Sequence, residues 1–133
     1  MKQQIDGRAE ELMKAKNFCN VSTLNKDGSV HAAPVWIDVQ GGQPVLNTAE
    51  GRLWPRNLER DPRVTLTVQN LENPYEYLEV RGRVGERTHD GADEHIDEMA
   101  KKYMAVDEYP LRQPGEQRVI LRIDPERVVL HGS

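Results

Sequence analysis

The chain is short of cysteine, aromatic residues, positive charge and long apolar runs, and each shortage removes a class of protein. A single cysteine, Cys19, cannot form an internal disulfide or a multi-cysteine metal site, which fits a reducing cytoplasm. Lys and Arg number 18 against 22 Asp and Glu, giving a net charge of −4. The basic footprint of a general nucleic-acid binder is therefore missing. No apolar run exceeds a few residues, which excludes a transmembrane helix, and the N-terminal MKQQIDGRAEELMKAK lacks the apolar stretch of a signal peptide. Aromatics are only 5% of the residues, so the places where they gather carry information. What remains is a small acidic domain spanning residues 1–133, with 37% apolar residues and a modest core.

Hydrophobic periodicity lays out the elements that are present. Ile5, Ala9, Leu12 and Met13 recur as one helical stripe. Phe18 to Leu24 is rich in strand formers, and Asn25-Lys26-Asp27-Gly28-Ser29 marks a hairpin into a second strand, Val30 to Val39. Within that strand Val35, Ile37 and Val39 share an apolar face, and Pro34, which has no N–H to donate, predicts an edge or a bulge. Gln40-Gly41-Gly42-Gln43 turns into a strand over 44–49. Alternation over 64–68, 78–84 and 119–123 adds three more strands, with Gly82 marking a bend. Ile96, Met99, Ala100, Tyr103 and Met104 form the stripe of a late helix, whose other face offers the i, i+4 pairs Asp97–Lys101 and Glu98–Lys102. Six strands, mainly antiparallel with flanking helices, predict a small closed or partly closed barrel. Such a barrel has almost no interior cavity, so a sizeable ligand binds in an outer groove or at a subunit interface.

The stretch from Asn47 to Arg63 carries the strongest chemical signal. It leaves a strand, turns at Gly51 and predicts a short helix that Asp61-Pro62 ends. Arg52, Arg56 and Arg60 are four apart, so a helix aligns their guanidiniums to suit a phosphate or carboxylate. Thr48 adds a hydroxyl and the helix start adds free N–H groups. The competing reading pairs these arginines with Glu50, Glu59 and Asp61 on a solvated face. The two tryptophans, Trp36 and Trp54, lie in or beside this neighbourhood, where packing in the core or at a dimer interface is the plain alternative.

Val21-Ser22-Thr23-Leu24, Ala33-Pro34-Val35-Trp36-Ile37, Thr48-Ala49-Glu50-Gly51-Arg52 with Arg56-Asn57-Leu58 and Asp61-Pro62-Arg63-Val64, and Asn73 through Gly82 follow one another at characteristic spacing. In that order they resemble the split-barrel flavin and deazaflavin proteins related to pyridoxamine 5'-phosphate oxidase, most closely the F420-dependent branch found in actinobacteria. The resemblance implies a six-stranded antiparallel split β-barrel of the FMN-binding type, forming a cytoplasmic homodimer with cofactor in grooves at the interface. It implies coenzyme F420, or alternatively FMN, as cofactor, and hydride transfer to a small conjugated acceptor. A storage module, or a flavin- or haem-binding module without turnover, is the alternative from another class. Position by position, Thr48, Arg52, Arg56 and Asn57 match the phosphate-binding strand and helix, with Asn47 a further cofactor-binding candidate, and Ala33, Pro34, Val35 and Trp36 match the strand against the ring. Tyr75 and Tyr77 match aromatic positions near the groove that the partner chain can supply. Trp54 stands where many F420-binding members carry a lysine, which leaves phosphate recognition to Arg52 and Arg56 and lets Trp54 stack beside the cofactor.

No Ser-His-Asp, Cys-His or paired-carboxylate constellation stands out, as expected where a cofactor does the chemistry. Tyr75, Tyr77 and His31 are the candidate proton donors, with solvent an equal alternative. His89 and His95 among Asp90, Asp93 and Glu94 superficially resemble a metal site, but read better as a solvated helix start; no metal is expected. The loop over 106–115 borders the groove, as a lid or as a plain connection.

Overall fold

The computed structural model describes residues 3–132. Three helices, α1 (Gly7–Lys14), α2 (Leu53–Arg60) and α3 (Ala92–Met104), accompany seven strands: β1 (Cys19–Leu24), β2 (Val30–Val35), β3 (Asp38–Gln40), β4 (Gln43–Ala49), β5 (Arg63–Gln69), β6 (Tyr77–Thr88) and β7 (Arg118–His131). They form one sheet in the order β2-β1-β5-β6-β7-β4-β3, every pairing antiparallel.

Seven strands replace the expected six because the segment over 30–39 breaks at Trp36-Ile37. Its first half, β2, pairs with β1, and its second half, β3, pairs with β4 at the opposite edge of the sheet. The two edges are thus joined by two residues, a span of at most about 11 Å, which curls the sheet into a split barrel. The corner leaves Ile37 without ladder partners, so side chains supply them: Ile37 N–H donates to the Tyr103 hydroxyl (3.1 Å), and Ile37 C=O accepts from Lys102 Nζ (2.7 Å). Tyr103 Oη in turn donates to Asn17 C=O (2.6 Å). Pro34, opposite Asn20 on the edge strand β2, sits where a missing N–H costs no ladder bond.

Alternating residues fill the barrel: Val21, Leu46, Leu66, Val68, Leu78, Val80, Leu121 and Ile123 have no exposed surface. Ala9, Leu12 and Met13 of α1, with Ile5 just ahead of the helix, join the same cluster. Gly82 lies at a register shift between β6 and β7, and a Cβ there would stand 2.3 Å from the Asp124 carbonyl oxygen. The predicted bend is therefore a close backbone approach that only glycine allows. Ile96, Met99, Ala100 and Tyr103 of α3 are buried as expected, but Met104, read as part of the same stripe, is exposed, and the predicted charge pairs are not formed. Lys101 pairs with Glu98 (3.0 Å), Asp97 receives Arg112 (2.8 Å), and Lys102 turns inward onto the carbonyls of Met13 and Ile37. Those buried carbonyls need a donor, and the long lysine stem reaches them.

Candidate functional site

A groove of about 280 Å³ opens outside the barrel, where the β2 corner, the end of β4, the start of α2 and the loop over 106–115 converge. Six residues singled out from the sequence line it: Pro34, Val35, Trp36, Asn47, Arg52 and Trp54. The chain has one Phe, two Trp and four Tyr, and Phe18, Trp36, Trp54 and Tyr109 all face this groove. Tyr103 backs it, stacked on Trp36 (centroids 5.1 Å apart, planes within 6°) and on Phe18 (5.5 Å). Tyr109 meets Trp36 edge-on at 6.0 Å. Flat, rigid aromatic walls of this kind suit a planar ring.

The arginine row does not gather on one side. Arg52 precedes α2 as its N-cap residue, outside the helical spacing, and faces the groove. Arg56 opens instead on a separate depression with Lys26 and Arg60. Arg60 reaches back to Leu24 C=O and to Asn57 Oδ1 (3.3 Å). The acids offered as surface partners are occupied elsewhere. Glu50 and Glu59 pair with Arg87, and Asp61 pairs with Arg63 at 2.7 Å. Among the described residues Arg52 and Arg56 therefore have no hydrogen-bonded or ion-paired acid. No side chain caps the α2 N-terminus.

The other sequence candidates lie apart from the groove. Asn57 is buried, its amide donating to Thr23 Oγ1 (3.1 Å) and Asn25 Oδ1 (2.9 Å), so it clamps α2 to the β1–β2 hairpin. Thr48 is fully buried, and its Oγ1 is the one buried side-chain polar atom among the described residues without a hydrogen bond. Ala33 packs against the barrel core. His31 lies on β2 opposite Thr23, away from the groove lining. Tyr75 is exposed, and Tyr77 stacks on His131 at 4.5 Å at the far end of β6. None of these three reaches the groove within one chain.

Behind the groove runs a polar relay that the sequence reading missed. Glu116 pairs with Arg118, both side chains almost entirely buried. Arg118 Nε donates to Asn47 Oδ1 (3.0 Å), and the guanidinium lies 5.2 Å over the Tyr109 ring. The Asn47 amide donates to Ala92 C=O (2.9 Å) and to His95 Nδ1 (3.0 Å), while His95 Nε2 donates to Asp38 Oδ2 (2.9 Å). His95 is thus buried against β3 and β4 rather than solvated at the helix start, and no His, Cys, Asp and Glu group able to hold a metal exists among the described residues. Burial on its own raises the Asp38 carboxyl, but hydrogen bonds from His95 and the Val39 N–H outweigh it and leave it below its usual value. Glu116 behaves alike: burial is overcome by the Gln113 N–H, by Arg118 and by the charge of Arg52. The signals were an acid inside Trp36-Ile37-Asp38-Val39 and an arginine opening the run Val119-Ile120-Leu121. Two polar interruptions of apolar strands mark the two ends of one network.

A solved F420 reductase is 25% identical, covers 90% of this chain and 94% of its own, and superposes with a TM-score of 0.79. A conserved hypothetical protein from Mycobacterium tuberculosis (20% identity, 99% and 89% coverage, TM-score 0.73) and a heme-binding protein from Mycobacterium smegmatis (20%, 96% and 55%, 0.67) share the fold. No curated protein matches the chain in sequence. No described helix is long and apolar enough to cross a membrane. The pyridoxamine 5'-phosphate oxidase model matches residues 5–132, essentially the whole chain, and the chain belongs to that family.

Proposed function

We propose that the protein is an F420-dependent oxidoreductase that reduces a small conjugated organic acceptor. The observation that carries this reading is the groove itself: aromatic walls from Phe18, Trp36 and Tyr109 beside an arginine, Arg52, that no acid among the described residues hydrogen-bonds or ion-pairs. A planar ring and an anionic phosphate are what such a pair of features fits. The F420 reductase likeness across nine-tenths of the chain points the same way. Bound in its reduced form, the deazaflavin supplies the hydride.

The chain's own residues bind, orient and exclude water. Pro34, Val35 and Trp36 form the wall against the ring, held by the Trp36–Tyr103 stack and by the hydrogen bonds that fix the corner at Ile37. Arg52 takes the phosphate, assisted by the uncapped N–H groups of α2. Trp54 replaces a lysine at the groove and adds area instead of charge, which keeps FMN as the competing cofactor. Phe18 (46% exposed) and Leu111 (58%) leave the rim apolar and open, and a second copy of the chain covers it in the proposed cytoplasmic homodimer.

Turnover tests the reading. Reduced F420 is mixed with the protein and a panel of quinones and conjugated enones, and the return of oxidised-cofactor absorbance is recorded. At least one acceptor is expected to be reduced. Tight cofactor binding with no oxidation by any acceptor makes the protein a carrier and removes the enzymatic reading.

A further inference from the structure

Arg118 is placed differently from the other arginines. Its side chain is 3% exposed, its charge is balanced by a buried glutamate, and it still lines the groove. A guanidinium carries five N–H donors. Nε is committed to Asn47 and Nη1 to Glu116, which fixes the plane of the fork, and Tyr109 covers one face. Nη2 has no bond. Since Thr48 Oγ1 is the one sealed and unbonded side-chain polar atom among the described residues, Nη2 keeps accessible surface, on a residue that lines the groove.

We propose that Arg118 is a ligand-binding residue of the groove, donating from Nη2 to a carbonyl-type oxygen on the edge of the planar ring bound there. This rests on the reading that the groove holds a flavin-like ring. Charge separates the role from that of Arg52. An Arg–Glu pair has no net charge, and its carboxylate repels a phosphate dianion, so the pair suits a neutral or weakly charged oxygen. Arg52, exposed and in no direct ion pair, with Glu116 bound to Arg118 instead, suits the phosphate. Burial agrees: a donor set among Trp36, Tyr109 and Asn47 meets the desolvated ring, whereas a phosphate keeps water. The relay through Asn47, His95 and Asp38 positions the fork before any ligand arrives, so binding spends little on ordering it. Specificity follows from the same arrangement, because a ring without the oxygen leaves a buried donor unmet.

Three probes test the assignment by fluorescence or calorimetric titration: lumichrome, a tricycle with two ring carbonyls; phenazine, a tricycle with no oxygen; and FMN, a carbonyl-bearing ring with a phosphate. In the unmodified protein lumichrome is expected to bind at least about tenfold tighter than phenazine; equal affinities overturn the proposal without any variant. Arg118→Met alone strands Glu116, so the variant is Glu116→Gln with Arg118→Met, which removes both charges together. It is expected to weaken lumichrome and FMN alike, by roughly tenfold to a hundredfold, and to leave phenazine unchanged. Loss of FMN binding alone assigns Arg118 to the phosphate and overturns the proposal, as does an equal loss for all three probes, which reports a collapsed groove. F420 binding unmodified protein and variant equally well removes the role of Arg118 and leaves the cofactor reading standing. Discrimination of lumichrome from phenazine by a protein that binds neither F420 nor FMN does the reverse.

Discussion

Arg52 and Arg56 carry the same charge four residues apart, yet the fold gives them different surroundings. Arg52 faces the aromatic groove, whereas Arg56 opens on the depression with Lys26. Arg52→Ala is therefore expected to weaken F420 binding by about 1.5–3 kcal/mol, the worth of a charge-assisted hydrogen bond, and Arg56→Ala by clearly less. Fluorescence titration of the two variants checks the ranking, and equal losses place the phosphate between them. A second residue-scale expectation concerns Cys19, fully buried on β1, where desolvation pushes the thiol up to about 12. Its thiolate fraction near neutral pH is negligible, so an aromatic disulfide reagent is expected to label it only at the rate of unfolding. Fast stoichiometric labelling of native protein contradicts this burial. Arginines whose acids lie in other elements cannot be sorted from spacing alone. Glu50 and Glu59 are near Arg52 in sequence, but Arg87, from β6, takes both.

Elements were legible where one face meets the core. The alternation of Val64, Leu66 and Val68, the stripe of α1 and the apolar side of α3 each appear as read, because burial alone decides them. The corner at Trp36-Ile37 was not legible. Its apolar alternation runs straight through the break, and the bond that satisfies Ile37 comes from Tyr103, 66 positions away. Tyr103→Phe keeps the stack on Trp36 but removes the hydroxyl that receives Ile37 N–H and donates to Asn17 C=O. It is expected to cost about 1–3 kcal/mol in urea unfolding, the penalty of leaving buried backbone groups unmet. A neutral result assigns the corner to packing alone. Gly82→Ala is expected to cost a similar ~1–3 kcal/mol, because the added methyl meets the Asp124 carbonyl oxygen at 2.3 Å and β6 and β7 must part.

At the scale of the whole molecule, length alone pointed outward: a barrel filled by its own side chains leaves ligands to the exterior, and the groove lies there. The net charge of −4 concealed how the acids are used. Asp61, through hydrogen bonds from Arg63, and Glu76, through those from Arg8, are both held down to about 2. Asp38 and Glu116 are held below their usual values by partners that overcome burial. A carboxyl with a depressed folded value stabilises the fold above its unfolded value and loses that contribution as pH falls through the folded one. From these carboxyls stability is therefore expected to be flat between about pH 5 and pH 7 and to fall toward pH 2, which thermal unfolding across that range measures. The proposed dimer is checked by sedimentation, where a stable species near the chain mass of 15.2 kDa contradicts it.

The central claim is that the groove beside the Trp36 corner holds a deazaflavin, with Arg52 on its phosphate. Titration of the purified protein with F420 and FMN, side by side under one buffer, tests it most directly. The account predicts saturable quenching of F420 fluorescence at lower concentration than any response to FMN, and weaker quenching in Arg52→Ala. A protein that purifies yellow with FMN and leaves F420 fluorescence unchanged contradicts it.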